Sequence, residues 1–177
     1  MGTKDNSPAF QRWDRCDIQA ASPVRDERTM HTFTSILVHC VWATKDREPY
    51  LTSDLRDRLW PYLSGIAREN KMKALAIGGA SDHVHLLISI PPTLAVSKAV
   101  QLLKGNSSKW IHETFPKLRA FEWQEGYGAF SIGISALDAT IAYVRNQTEH
   151  HRTRTFREEF IAMLRRHSLD HDERMLV

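Results

Sequence analysis

His83-Val84-His85-Leu86-Leu87-Ile88-Ser89-Ile90 opens on two histidines and continues as an aliphatic run that stops at Pro91-Pro92. A short apolar run closed by prolines reads as a buried strand, and alternation along it sends both imidazoles to one face and Val84 to the other. Before it, GGASD (Gly78–Asp82) supplies glycines for a tight turn, with Asp82 either a partner supporting the histidine pair or, as favoured, a turn residue, and Lys73–Ile77 reads as the partner strand. Further upstream, Leu55, Leu59, Leu63 and Ile66 recur at spacings of four, four and three, which predicts a helix from a Thr52 or Ser53 cap to about Asn70. Thr34–Thr44, TSILVHCVWAT, is rich in β-branched and apolar residues and predicts the first strand. Downstream, a helix is expected over Leu94–Phe115, weakened locally by Gly105, with Val96, Val100, Leu103 and Ile111 inward. A strand or bent ribbon is expected over Phe121–Ile132, then a helix capped by Ser135 over Ala136–His150, and a short helix over Thr155–Arg166. This order predicts an α+β fold. A ferredoxin-like sandwich fits it: an antiparallel sheet with helices on one face and an appended helix carrying Tyr143.

With 177 residues, 42% hydrophobic and 25% charged, the chain has the balance of one folded domain and needs no covalent staples. Cys16 and Cys40 are the two cysteines and lack CxxC spacing, which argues against a disulfide framework or a cysteine zinc site and suggests a reducing cytoplasm. No stretch reaches the roughly 18 to 20 apolar residues of a membrane span, and Met1–Phe10 lacks a signal peptide's apolar run, so a cytoplasmic protein without a membrane partner is expected. Residues 1–30 carry five basic and five acidic residues and no sustained periodicity, so they read as a polar extension. The folded domain is placed at 31–160, with a helix end and tail at 161–177. A net charge of +3 does not by itself imply a polyanionic partner. From Lys98 to Arg157, however, nine basic residues face five acidic ones, interleaved with Trp110, Trp123, Tyr127 and Tyr143. That mixture suits phosphate neutralisation with base stacking.

Two patterns carry chemistry. His83 and His85 on one strand face make two adjacent imidazole donors that leave coordination positions open for a third ligand, water or phosphate. An isolated HxH is common. Tyr143 and Gln147 stand at i and i+4, so a helix presents phenol and carboxamide together; alone, such a pair reads as a half-buried tyrosine and a solvated glutamine. The two patterns gain meaning jointly.

Taken in order, VWATK (Val41–Lys45), SDHVHLL (Ser81–Leu87), LKGNSSKW (Leu103–Trp110), GYGAFS (Gly126–Ser131) and YVRNQTEHH (Tyr143–His151) resemble the single-tyrosine HUH transposases of bacterial insertion sequences that move as single-stranded DNA. The resemblance runs from about Phe33 to Phe160 and leaves residues 1–30 uncovered. REP-associated tyrosine transposases are relatives, but the Asn146-Gln147 pair looks more like the insertion-sequence branch. The resemblance implies His83 and His85 as the metal-binding pair, Tyr143 as nucleophile and Gln147 as third ligand, with Mg²⁺ or Mn²⁺. It implies cleavage through a 5′-phosphotyrosine, single-stranded DNA with hairpins near the element ends as partner, and a homodimer with composite active sites.

Lys104, Lys109, Arg145, Arg152 and Arg154 are the candidates for DNA-backbone contact, and Trp110 or Tyr127 for base stacking. His150 and His151 are expected to have a structural or DNA-contact role ahead of metal binding. His39 reads as a satisfied core histidine and Cys40 as small core filling. Two other readings stay open: a domesticated relative processing chromosomal palindromes, and a non-catalytic ferredoxin-like nucleic-acid-binding module.

Overall fold

The computed structural model describes residues 33–151 and 155–171. Its first strand, β1 (Leu37–Ala43), is buried at every position, His39 included, as expected of a strand covered on both faces. Helix α1 (Ser53–Glu69) starts where Thr52 Oγ1 accepts from the Leu55 N–H at 3.4 Å, and it buries Leu55, Leu59, Leu63 and Ile66. Each such aliphatic side chain contributes about 1.5–3 kcal/mol on full burial. Strands β2 (Lys73–Gly79) and β3 (His83–Ser89) follow, then α2 (Val96–Thr114), which runs through Gly105 without interruption. The short β4 (Gly128–Ser131) completes an antiparallel sheet of order β2-β3-β1-β4. With α1 joining β1 to β2 and α2 joining β3 to β4, this is the ferredoxin-like α+β arrangement expected from the sequence.

Strand parity divides the central strands between two layers. Val38, Cys40 and Trp42 of β1 join Val84, Leu86 and Ile88 of β3 in the core under α1 and α2. His39, Val41, Ala43, His83, His85 and Leu87 therefore emerge on the other face. That face is covered by α3 (Leu137–Arg145) and α5 (Phe156–Arg166): Val144 packs on Ala76 and Leu87, while Phe156 and Leu164 pack with Val41, Ala43 and Phe130. The appended helices roof the layer into which the paired histidines project.

Three expectations are corrected. Phe121–Ile132 is not one strand; only Gly128–Ser131 pairs with β1, and Trp123 makes a single bridge to Thr44 before the chain turns at Gly126. Ser135 does not cap a helix, because Ile134–Ala136 first forms one 3₁₀ turn closed by the Ala136 N–H on Gly133 O at 2.9 Å. The expected helix to His150 breaks at Asn146, giving α3 and the single turn α4 (Gln147–His150). Asparagine is a poor helix-interior residue. Residues 1–30, with Arg152 and Arg154, lie outside the described residues.

Candidate active site

β3 starts at His83, so His83 and His85 are the first two residues on its roofed face, 1% and 0% exposed. A hydrogen bond fixes each ring. His83 Nδ1 lies 2.7 Å from Asp82 Oδ1, and Asp82 also accepts from Arg47. Burial alone would raise the Asp82 carboxyl, but the hydrogen bonds from His83 and Arg47 outweigh it and hold the group down at about 2. Asp82 is therefore an ionised acceptor for the His83 ring and not the bare turn residue expected, and His83 Nε2 is left as the lone-pair nitrogen. His39 does the equivalent for His85: the two strands place His39 opposite Leu87, diagonal to His85, and His39 Nε2 lies 3.0 Å from His85 Nδ1. Burial, helped by His85 and His167, pushes His39 down to about 3, so a neutral His39 can accept from His85 Nδ1–H while His85 Nε2 points into the layer.

Helix α3 brings Tyr143 onto this pair. Its ring stands edge-on to His85 at 5.8 Å and to His39 at 6.0 Å between centroids. The approach depends on Gly78 of β2, where a Cβ would lie 1.8 Å from the Val144 carbonyl oxygen. Although the helix breaks between Tyr143 and Gln147, both still reach one acceptor: the Tyr143 hydroxyl donates to Glu159 Oε1, and Gln147 Nε2 donates to the same oxygen at 3.1 Å.

Glu159 is the residue that sequence reasoning missed. It sits on α5, 3% exposed, with Oε2 3.4 Å from His85 Nε2 and 3.1 Å from His151 Nε2. Burial pushes its carboxyl up to about 7 against the opposing pull of His83 and Arg47. The available signal was its position: Phe156, Glu159, Phe160 and Met163 follow a helical stripe, and a carboxylate inside an apolar stripe demands a partner. His151 is likewise drawn in, its ring 4.4 Å from that of His83. His83, His85, His151 and Glu159 each offer a ligand atom within 4.8 Å of the others, so His151 stands at the candidate metal centre and not merely beyond it.

The donor set fits a divalent cation. His83 Nε2 and Gln147 Oε1 are buried without a hydrogen-bond partner among the described residues, which is costly unless something electropositive meets them. The imidazole nitrogens suit first-row divalent ions, and the carboxylate and amide oxygens suit harder ions such as Mn²⁺ and Mg²⁺.

Residues 32–147 match the family model described as "Transposase IS200 like". The chain belongs to the IS200-like transposase family. Among curated relatives it is 33% identical over 85 residues to the ISDra2 transposase TnpA of Deinococcus radiodurans, a match spanning 48% of this chain and 61% of that protein. It is 29% identical over 131 residues to the transposase for insertion sequence element IS200 of Salmonella typhimurium, covering 70% of this chain and 85% of the relative. A crystal structure of a putative transposase from Deinococcus radiodurans R1 superposes with a TM-score of 0.57 at 26% identity, covering 69% of this chain and 98% of that one. The structure of a REP-associated tyrosine transposase bound to a REP hairpin shares the fold, with a TM-score of 0.50 at 13% identity over 68% and 70% of the two chains.

The remaining candidates of this IS200-like transposase are scattered. Lys109 is exposed and lies 3.8 Å from Glu113 one helical turn on, and Arg145 is exposed at the end of α3. Lys104 is half-buried and directs Nζ at Gln124 O and Gly126 O, at 2.6 and 2.8 Å. Trp110 stacks on Tyr62 at 4.5 Å and packs against the core under α1 and α2. No helix among the described residues is long and apolar enough to cross a membrane.

Proposed function

We propose that this transposase is a cytoplasmic enzyme that cleaves and rejoins single-stranded DNA, with Tyr143 as nucleophile. The observation that carries this reading is the convergence of the Tyr143 hydroxyl with His83, His85, Gln147 and Glu159 in one buried cluster. A free tyrosine, with a pKa near 10, is about one part in a thousand phenolate at neutral pH, so attack needs a proton acceptor. Glu159 Oε1 accepts the Tyr143 hydrogen bond and is aligned to take that proton. The phenolate oxygen then forms a bond to phosphorus as the bond to the 3′ oxygen breaks, and the departing oxygen takes up a proton. The products are a 5′-phosphotyrosine and a free 3′-OH. Attack of another 3′-OH on the phosphotyrosine rejoins the strand and returns the tyrosine.

His83, His85 and Gln147, together with Glu159 or His151, would hold the divalent cation, Mg²⁺ or Mn²⁺. When bound, it supplies polarisation of the scissile phosphate and charge stabilisation on the leaving oxygen. Lys109 and Arg145, as exposed cations, are proposed to meet the DNA backbone. The hairpin in the related REP-associated structure supports a hairpin-bearing substrate here. Incubating the protein with single strands from the flanks of its own gene and Mn²⁺ should give a denaturant-resistant protein–DNA adduct; its absence with every flank tested would remove the reading.

Strand exchange requires two DNA ends in one particle, which a homodimer provides. In the single chain, Tyr143 meets the histidines of its own subunit. Composite sites are proposed for the dimer, with Gly133 in the short connection to α3 as the pivot. Mixed His83→Ala and Tyr143→Phe subunits should recover cleavage; failure after confirmed subunit exchange would exclude shared sites.

A further inference from the structure

Beside the catalytic cluster lies a recess of about 200 Å³ lined on its apolar side by Val41, Ala43, Phe156 and Phe160. Its rim is polar and mainly basic: Arg47 and Arg157 stand over it, with Gln124 and the acidic Glu125 on the loop side. Tyr127 closes that side and leaves 42% of its surface exposed, so its ring is accessible from the recess mouth.

The loop that presents Tyr127 is fastened on three sides. Lys104 Nζ donates to the carbonyls of Gln124 and Gly126, the Gln124 N–H donates to Ala43 O at 2.9 Å, and the Asp46 N–H donates to Gln124 Oε1 at 3.2 Å. Gly126, at φ +77, takes the left-handed conformation that turns the chain into Tyr127. The opposite wall is also built under constraint, because Asp46 and Arg47 both have positive φ, at 52° and 60°. Such strain persists where surrounding structure fixes it and clusters at functional sites. The result holds the Arg47 guanidinium 4.3 Å over the Phe156 ring and against Asp82, the residue that orients His83. Phe156 itself packs on His83 at 4.6 Å.

An apolar slot with a rigid aromatic wall, arginines at its mouth and a direct connection to His83 has the chemistry of a base-stacking site for single-stranded nucleic acid. We propose that this recess receives one unpaired nucleobase of the DNA strand, the one neighbouring the scissile phosphate, stacked on Tyr127 while Arg47 and Arg157 meet the adjoining phosphates. This rests on the single-stranded DNA reading above. A base seated there would fix the register of the strand over the cluster, making Tyr127 a positioning residue.

The test uses the full chain in a Tyr143→Phe background, which cannot form the adduct, with Mn²⁺ present. Its probes are an oligothymidylate of about 20 nucleotides and an abasic strand of equal length and charge, lengths that exceed the nucleotide footprint of a small domain. Tyr127→Ala should weaken oligothymidylate binding about tenfold, within the range for loss of one base–aromatic stack, and leave the abasic strand unchanged, while Tyr127→Trp restores affinity. A strand carrying 5-iodouracil should photo-cross-link to Tyr127, Phe156 or Phe160. Equal losses on both strands, or cross-links mapping only elsewhere, would overturn the proposal. Cross-linking in the recess by a protein whose unmutated form never makes the Tyr143 adduct would instead sink the catalytic reading and leave the base site standing.

Discussion

The Tyr143 hydroxyl on α3 and the Gln147 carboxamide on α4 donate to the same oxygen of Glu159 on α5. The proposed nucleophile and its proposed proton acceptor are thus held by separate helices over one pair of strand histidines.

Glu159→Gln keeps the side-chain volume and removes the proposed base. Single-turnover adduct formation should fall about 10²- to 10⁴-fold, the usual contribution of a positioned base. Thermal stability should hold or rise, since a neutral carboxamide replaces a buried carboxyl whose pKa burial has raised. Adduct formation at the wild-type rate would show that the phenol loses its proton elsewhere.

His39→Leu removes the acceptor for His85 Nδ1 while filling much the same space. Calorimetric titration with Mn²⁺ should show affinity lower by about 10- to 100-fold, the typical effect of losing a partner that orients a metal-ligating histidine. Unchanged affinity would mean that His39 only packs.

Gly78→Ala places a Cβ where the Val144 carbonyl oxygen stands, so α3 must lift from β2. Stability should drop by about 1–3 kcal/mol, as for other overpacked sites, and displacement of Tyr143 should slow adduct formation by about 10²-fold. Gly65→Ala is the control, since nothing lies within 4 Å of an added Cβ there. If Gly78→Ala matched that control in denaturation and single-turnover assays, the close approach of α3 would not be required.

Cys40 is fully buried, and burial pushes its thiol up to about 12. In a Cys16→Ser background, iodoacetamide should modify it only after denaturant is added. The folded state holds this proton more tightly than the unfolded chain, so its contribution is intact below about pH 9 and is lost as pH climbs toward about 12, by at most about 1.4 kcal/mol per pH unit. Urea midpoints at pH 8 and pH 10 for this protein and Cys40→Ala measure it; parallel pH dependences would contradict the assignment.

Much of the scaffold was legible because its signals are local. The leucine spacing of α1, the prolines after β3 and the alternation that separates His83 and His85 from Val84 each act within a few residues. What escaped depends on how distant segments meet. The break at Asn146 leaves Gln147 beside Tyr143 but turns the following chain so that His151 enters the site, and a single-helix reading of Ala136–His150 could not show this. Glu159 lies on the apolar stripe that marks the inward face of α5, but nothing local says that this face meets the paired histidines. Asp82 looked like a turn residue, and it is one, but the turn also places its carboxylate on His83. Lys104, a candidate for DNA-backbone contact from the sequence, directs its ammonium at the carbonyls of the loop that carries Tyr127.

The central claim, that Tyr143 attacks phosphorus and retains the 5′ phosphate with the strand lying 3′ of the break, is tested most directly by end-labelling. A cleavable single strand labelled at its 3′ end should leave its label on the protein, in a peptide containing Tyr143, while the same strand labelled at its 5′ end should release the label as a fragment ending in 3′-OH. Label retained from the 5′ end, or an adduct mapping to any residue other than Tyr143, would contradict the account.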